Sequence, residues 1–204
     1  MAIIHQATLT PTKLELLQAW LPGRSWYPGG DATGLERVAA ARFDDPAGAV
    51  GVEIFLVKTP DGPLTQVPMT YRAAPLDGAG EWLIGTTEHS VLGARWVYDA
   101  VADPVFVAEA VRAIRTGGHE AAEYFETPDG PVAREPLMSL RGSGTQAPGS
   151  PAEIVRVDDG EPAVVLTNVG ELSVSRLPRA TPPDAPLTLS GTWPGGSVTL
   201  AVLS

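Results

Sequence analysis

The three histidines, His5, His89 and His119, are the side chains of this sequence best suited to proton transfer or metal binding, and they lie far apart on different elements. A zinc site on a helix needs two of them four residues apart. His119-Glu120 begins such a pattern, but Glu123 holds the place of the second histidine. Cysteine is absent, which excludes disulfides and thiolate ligands. No serine sits in a G-x-S-x-G turn, and neither lysine, Lys13 or Lys58, stands in a Gly-rich phosphate loop. Gly142, Gly144 and Gly149 lie in "RGSGTQAPGSP" rather than between a strand and a helix, so a dinucleotide fingerprint is lacking. Each histidine is therefore expected to be structural or merely exposed. No catalytic residue, cofactor or metal ligand is assigned.

A second group of residues has different chemistry. Tyr71-Arg72, Glu88-His89 and Trp96, Tyr98 and Asp99 are large polar or aromatic side chains on neighbouring expected strands. One reading is a core whose Tyr and Trp need hydrogen-bond partners, with Arg72 paired to Asp99 or Glu88. The other is a sugar-binding platform, with aromatic faces against pyranose rings and carboxylates on hydroxyls. Trp26 and Tyr27 form a further pair, set in "GRSWYPGG" between glycines and prolines. They are expected to fold back and close one end of the core, since burying such a ring is worth about 2–3 kcal/mol. The alternative is an exposed patch for a protein partner. Trp26, Tyr27, Tyr71, Arg72, Glu88, His89, Trp96, Tyr98 and Asp99 make up the candidate ligand or partner surface.

Short elements must position these groups. "IIHQATL" reads as a first strand. "TPTKLELLQAWL" reads as a helix with Thr10 as N-cap and Pro11 in the first position. "LERVAAARFDD", "AVGVEIFLVKT" and "LTQVPMTYRAA" read as an antiparallel meander, with Val67, Met69 and Tyr71 on one face and Gln66, Thr70 and Arg72 on the other. Pro68 predicts that the third strand is an edge or bulged. "EWLIGTTEHS" and "ARWVYDA" are two more strands. "DPVFVAEAVRAIRTGG" is a helix capped by Asp103, begun by Pro104 and stopped by Gly117 or Gly118. "AEYFETPDGPVARE" reads as a hairpin around 128–130. Five short apolar stretches after Pro151 read as strands.

The 22 Gly and 20 Pro in 204 residues favour many turns and short strands. The formal net charge is −10, from 24 acidic residues against 12 Arg and two Lys. A surface of that sign repels phosphate backbones, which argues against nucleic acid as a partner. No apolar run approaches the ~20 residues of a membrane span. No secretory leader is apparent, so the expected compartment is the cytoplasm.

The segments "RSWYPGG", "TQVPMTYRAAPL" and "LIGTTEHSVLGARWVYDAVADPVFVAEAV" together resemble the N-terminal cap of bacterial maltokinases and related glucosamine kinases. Ser25-Trp26-Tyr27 after Arg24 stands for that cap's early Arg-Trp-aromatic motif. Tyr71-Arg72 ends its polar strand, Ile84-Gly85 matches an "IG" strand, and Tyr98-Asp99 with Pro104 matches the entry to a helix. The likeness is strongest to stand-alone, cap-like proteins of actinobacteria. It implies an α+β fold, a curved antiparallel sheet packed against helices as in a cystatin-like cap, with a small strand-rich C-terminal extension. The expected organisation is a cap-like domain over 1–142, a linker over 143–151 and a β-rich extension over 152–204. That extension resembles a worn first hairpin of a kinase N-lobe, with Glu161-Pro162-Ala163 in its turn and Ser175 or Arg176 where the ATP-binding lysine would stand. The His-x-Asp catalytic loop of such kinases is missing, since Ala7, Val91 and Ala121 stand two residues after the histidines. The chain is also shorter than a cap with both kinase lobes. The resemblance thus implies a non-catalytic accessory partner of a kinase or of a glycogen or trehalose enzyme. Alternatives are a subunit completing a sugar kinase in trans and a carbohydrate-binding module.

Overall fold

The computed structural model describes residues 2–4, 8–127, 130–179 and 187–204. Its strands are β1 (Ala2–Ile4), β2 (Leu9–Thr10), β3 (Glu36–Phe43), β4 (Gly51–Lys58), β5 (Thr65–Arg72), β6 (Leu83–His89), β7 (Gly93–Asp99), β8 (Glu123–Thr127), β9 (Gly130–Arg134), β10 (Ser139–Gly142), β11 (Ile154–Asp158), β12 (Ala163–Thr167), β13 (Gly170–Val174), β14 (Leu187–Trp193) and β15 (Gly196–Leu203). Two helices, α1 (Lys13–Trp20) and α2 (Pro104–Thr116), accompany them. The fold is α+β, as expected: curled antiparallel sheets on helices, with a strand-rich C-terminal region.

One six-stranded sheet has the order β2-β6-β7-β5-β4-β3, and a second has the order β10-β14-β15-β13-β12-β11. A small sheet pairs β1 parallel to β8 and β8 antiparallel to β9. The turn expected at 128–130 falls largely on 128–129, which lie outside the described residues, as do His5 and part of the expected first strand.

Local chemistry explains the helices. Asp103 caps α2 by accepting from Val105 N–H at 3.0 Å, Pro104 occupies the first position, and Gly117 ends the helix with φ 68°, a left-handed turn suited to glycine. The first helix starts later than Thr10. Thr12 is the N-cap, because Glu15 three residues on completes a reciprocal capping box with it.

Pro68 also departs from expectation. It lies on β5, an interior strand between β4 and β7, in regular register with Ile54. Gln66 N–H points away from β4 and donates to Arg176 O at 2.7 Å, so the Pro68 nitrogen, two residues on, points the same way. There β7 has already ended, at Asp99 opposite Met69. The missing N–H therefore costs the ladder nothing.

The first sheet buries both faces. On one side Phe55, Val57, Val67, Met69 and Val97 pack with Leu16, Leu17 and Trp20 of α1. On the other, Ala39, Ile54 and Leu56 share a continuous core with Phe106, Val107, Ala110 and Ile114 of α2 and with Val165, Leu172, Val174 and Leu200 of the second sheet. Each large apolar side chain so buried contributes about 1.5–3 kcal/mol. The expected boundary at Gly142 falls at the end of β10, whose sheet neighbour is β14. The expected linker lies along the C-terminal end of α2: Gly144 and Gln146 N–H donate to the carbonyls of Ile114 and Arg115, both at 2.8 Å. Among the described residues no helix is long and apolar enough to cross a membrane.

Candidate functional site

A cleft of about 810 Å³ opens on the first sheet beside the start of α1. Its geometry begins with the capping box, which fixes the first turn of α1, and with Thr87 Oγ1, which donates to Pro11 O at 2.7 Å and ties the approach to that helix onto β6. Lys13 is thereby aimed across the sheet. Its Nζ lies 2.6 Å from Glu53 Oε2, 4.7 Å from the centre of the Tyr71 ring and 5.6 Å from that of Phe55. Arg42 Nη1 stands 3.8 Å from the other Glu53 oxygen, and Arg37 stands 5.5 Å over Phe55. Glu123 and Arg134, 3.6 Å apart on β8 and β9, form part of the wall. The turn at 45–50 closes one end, with the Asp45 carboxylate accepting from Ala47, Ala49 and Val50 N–H.

Burial alone would push the Glu53 carboxyl upward. The Lys13 and Arg42 charges outweigh it and hold the group below its ordinary value. Tyr71 is pushed well above the ordinary phenol value, first by burial and then by the Glu53 charge. The cleft thus presents an ionised carboxylate, a neutral phenol and several cations around an aromatic floor. That arrangement can hold polar or charged ligand groups. Lys13 covers the Tyr71 ring, so the ring face is not open for stacking a sugar.

The other expected site residues are distributed differently. Cross-strand register puts Tyr71 and Asp99 on the α1 side of the sheet and Arg72, Trp96 and Tyr98 on the α2 side. Adjacent residues on a strand point to opposite faces, so no single platform forms. Arg72 pairs with Asp103 rather than Asp99 or Glu88, through two hydrogen bonds of 2.7 Å. Tyr98 is buried, and its hydroxyl accepts from Leu76 N–H at 2.9 Å. Trp96 is half-buried and Glu88 is exposed opposite Ala94. His89 reaches the rim of the cleft, and its Nδ1 accepts from Val91 and Leu92 N–H to close the turn. His119 is exposed. Among the described residues no three His, Asp or Glu side chains are grouped to hold a metal ion.

Trp26 and Tyr27 are buried, and Trp26 meets Trp20 and Tyr27 edge-on at 5.8 and 6.5 Å between ring centres. Above Trp26, at 4.6 Å, lies the fully buried guanidinium of Arg176. Its Nη1 and Nη2 donate to the two Asp99 oxygens at 3.0 and 2.6 Å, and Nη2 also contacts Asp159 at 3.3 Å. Burial works against the Arg176 charge, and the Asp99 and Asp159 carboxylates more than restore it. The loop "GRSWYPGG" therefore supplies the ring on which a cation from the C-terminal region rests.

Two of these clusters were not foreseen from the sequence. Glu53 carried a signal, a lone carboxylate within the apolar run "VEIFLV" that had to be paired once buried. Arg176 carried none, since its partner Asp99 is 77 residues away.

Compared with known families, residues 20–103 match the maltokinase N-terminal cap domain, from the last residue of α1 to the N-cap of α2. Of the motifs that carried the resemblance, "RSWYPGG", Tyr71-Arg72, Ile84-Gly85 and Tyr98-Asp99 fall within that match, and Pro104 with "VFVAEAV" lies just beyond it. No curated protein matches the chain.

Proposed function

Proceeding from the cap-domain match at residues 20–103, we propose that this protein is a non-catalytic, cap-like accessory partner of an enzyme of maltose, trehalose or glycogen metabolism, acting in the cytoplasm. The observation that supports this reading is the packing beyond residue 103. There α2 and the second six-stranded sheet join the cap in one continuous core. The position at which a kinase hairpin would present its lysine falls at Ser175 or Arg176, and the Arg176 guanidinium is buried on Asp99 and Trp26. A group so enclosed does not reach a nucleotide phosphate.

Incubation of the purified chain with ATP, magnesium and maltose is expected to yield no maltose phosphate. Affinity capture from a native lysate is expected to recover an enzyme acting on maltose, trehalose or glycogen. Turnover that survives repurification would overturn the reading. Phosphorylation that appears only when the captured enzyme is added back, and that enzyme being a kinase inactive alone, would turn it into a subunit completing an active site in trans.

A further inference from the structure

The cleft beside Phe55 carries a small surplus of positive charge in an acidic molecule, with Asp44, Asp45, Glu53 and Glu123 as its carboxylates. The chain has 14 Lys and Arg and a formal net charge of −10. Lys13, Arg37, Arg42, Arg95 and Arg134 all line this one cleft. Its carboxylates are engaged: Glu53 with Lys13 at 2.6 Å, Asp45 with three backbone N–H groups, Glu123 with Arg134, and Asp44 also has a contact of its own.

The arginines are less fully matched. Arg42 keeps only a loose 3.8 Å approach to Glu53, and its buried Nε has no hydrogen-bond partner among the described residues. Arg37 makes no ion pair among the described residues and lies over the Phe55 ring. Residues 37 and 42 are an odd number apart, so a regular strand would aim them at opposite faces. A bulge between Arg37 and Ala39 changes the register, so that Arg37 pairs with Val57 and Arg42 with Glu53, both on the Phe55 face. Bulges of this kind re-aim side chains beside binding sites. Guanidinium groups short of carboxylates in a concave site are suited to oxyanions. The field of the rest of the molecule repels anions, which makes their accumulation elsewhere on the surface unfavourable.

We propose that this cleft binds a small organic oxyanion, a carboxylate or a phosphate monoester, with Arg42 and Arg37 on its charged group. The proposal is independent of the accessory role. Calorimetric titration of the full chain with inorganic phosphate and with citrate, at constant ionic strength set by chloride, tests it. Saturable binding of at least one probe below about 20 mM is expected, and which of the two binds identifies the preferred group. R42Q and R37Q should each weaken that binding about tenfold, the effect of losing one charge-assisted contact, while R112Q on the exposed side of α2 leaves it unchanged. Arg37 is exposed, so R37Q reports on binding even if R42Q fails to fold. Absence of binding by both probes, or affinity unchanged in R37Q and in any folded R42Q, overturns the proposal.

Discussion

Arg176 and Arg42 present the same group to a carboxylate on the α1 side of one sheet, Asp99 for the first and Glu53 for the second. Arg176 is fully buried, held by two hydrogen bonds to Asp99 and laid on Trp26 at 4.6 Å. Arg42 has a side chain 23% exposed and a single approach of 3.8 Å to Glu53, whose other oxygen is taken by Lys13. The first arrangement commits both terminal nitrogens to carboxylates inside the protein and joins two sheets. The second leaves donors available beside a cleft. A guanidinium cannot serve both ends, because the desolvation that makes an internal pair strong also removes it from any ligand.

The sharpest way to break this comparison is to truncate the enclosed member. Arg176→Ala leaves Asp99 buried without its cation and is expected to cost about 3–5 kcal/mol. Urea melts followed by circular dichroism measure it. A double variant, Arg176→Met with Asp99→Leu, should recover much of the loss, since it removes both charges together. A midpoint for Arg176→Ala within experimental error of wild type would mean that the pair contributes nothing to joining the sheets.

Trp26→Ala comes next. Loss of a buried Trp costs about 3–5 kcal/mol, and here part of it is the support of Arg176. Measured in the Arg176→Ala background, the same truncation should cost less, since contacting residues are not additive. Equal costs in the two backgrounds would separate the ring from the cation and return Trp26 to simple core packing.

The open cluster should give the smallest effect and the clearest pH dependence. Glu53 is held below the ordinary carboxylate value by Lys13 and Arg42, so its stabilising contribution is present above that ordinary value and is lost as the pH falls through its lowered native value. Glu53→Gln is expected to cost about 1–2 kcal/mol at neutral pH and to flatten the stability profile below pH 4.5. Melts across an acid series would show it. A variant profile parallel to that of wild type would mean that Glu53 is not the group responsible.

Much of the local structure was legible in the sequence. Asp103, Pro104 and Gly117 bracket α2 because cap, first-turn and left-handed positions each demand a residue type. The alternation in β5 separated Met69 and Tyr71 from Thr70 and Arg72 correctly, and both Thr70 and Arg72 reach Asp103. The start of α1 was misread because Thr10-Pro11 and Thr12 offer competing caps, and only the Thr12–Glu15 spacing distinguishes them. Pro68 was misread because its tolerance depends on where another strand stops. The composition of 143–151 reads as a linker, and the hydrogen bonds of Gly144 and Gln146 N–H to α2 are a role that side-chain composition does not reveal. The candidate site was the least legible part. Which of two neighbouring strand residues faces the cleft, and which faces α2, is set by register and bulges that arise only in the assembled sheet.

Asp103 gives the family match a mechanical meaning. It is the last matched residue, yet it caps α2 through Val105 N–H while accepting from Thr70 Oγ1 and Arg72. The recognisable stretch of sequence therefore ends on a rivet, with one head in the cap's sheet and the other in the helix that follows. Load from the C-terminal half reaches the matched sheet through that joint as well as through the Arg176–Asp99 pair and the shared core. The boundary drawn by resemblance thus runs through the middle of a packed joint and is no seam in the molecule.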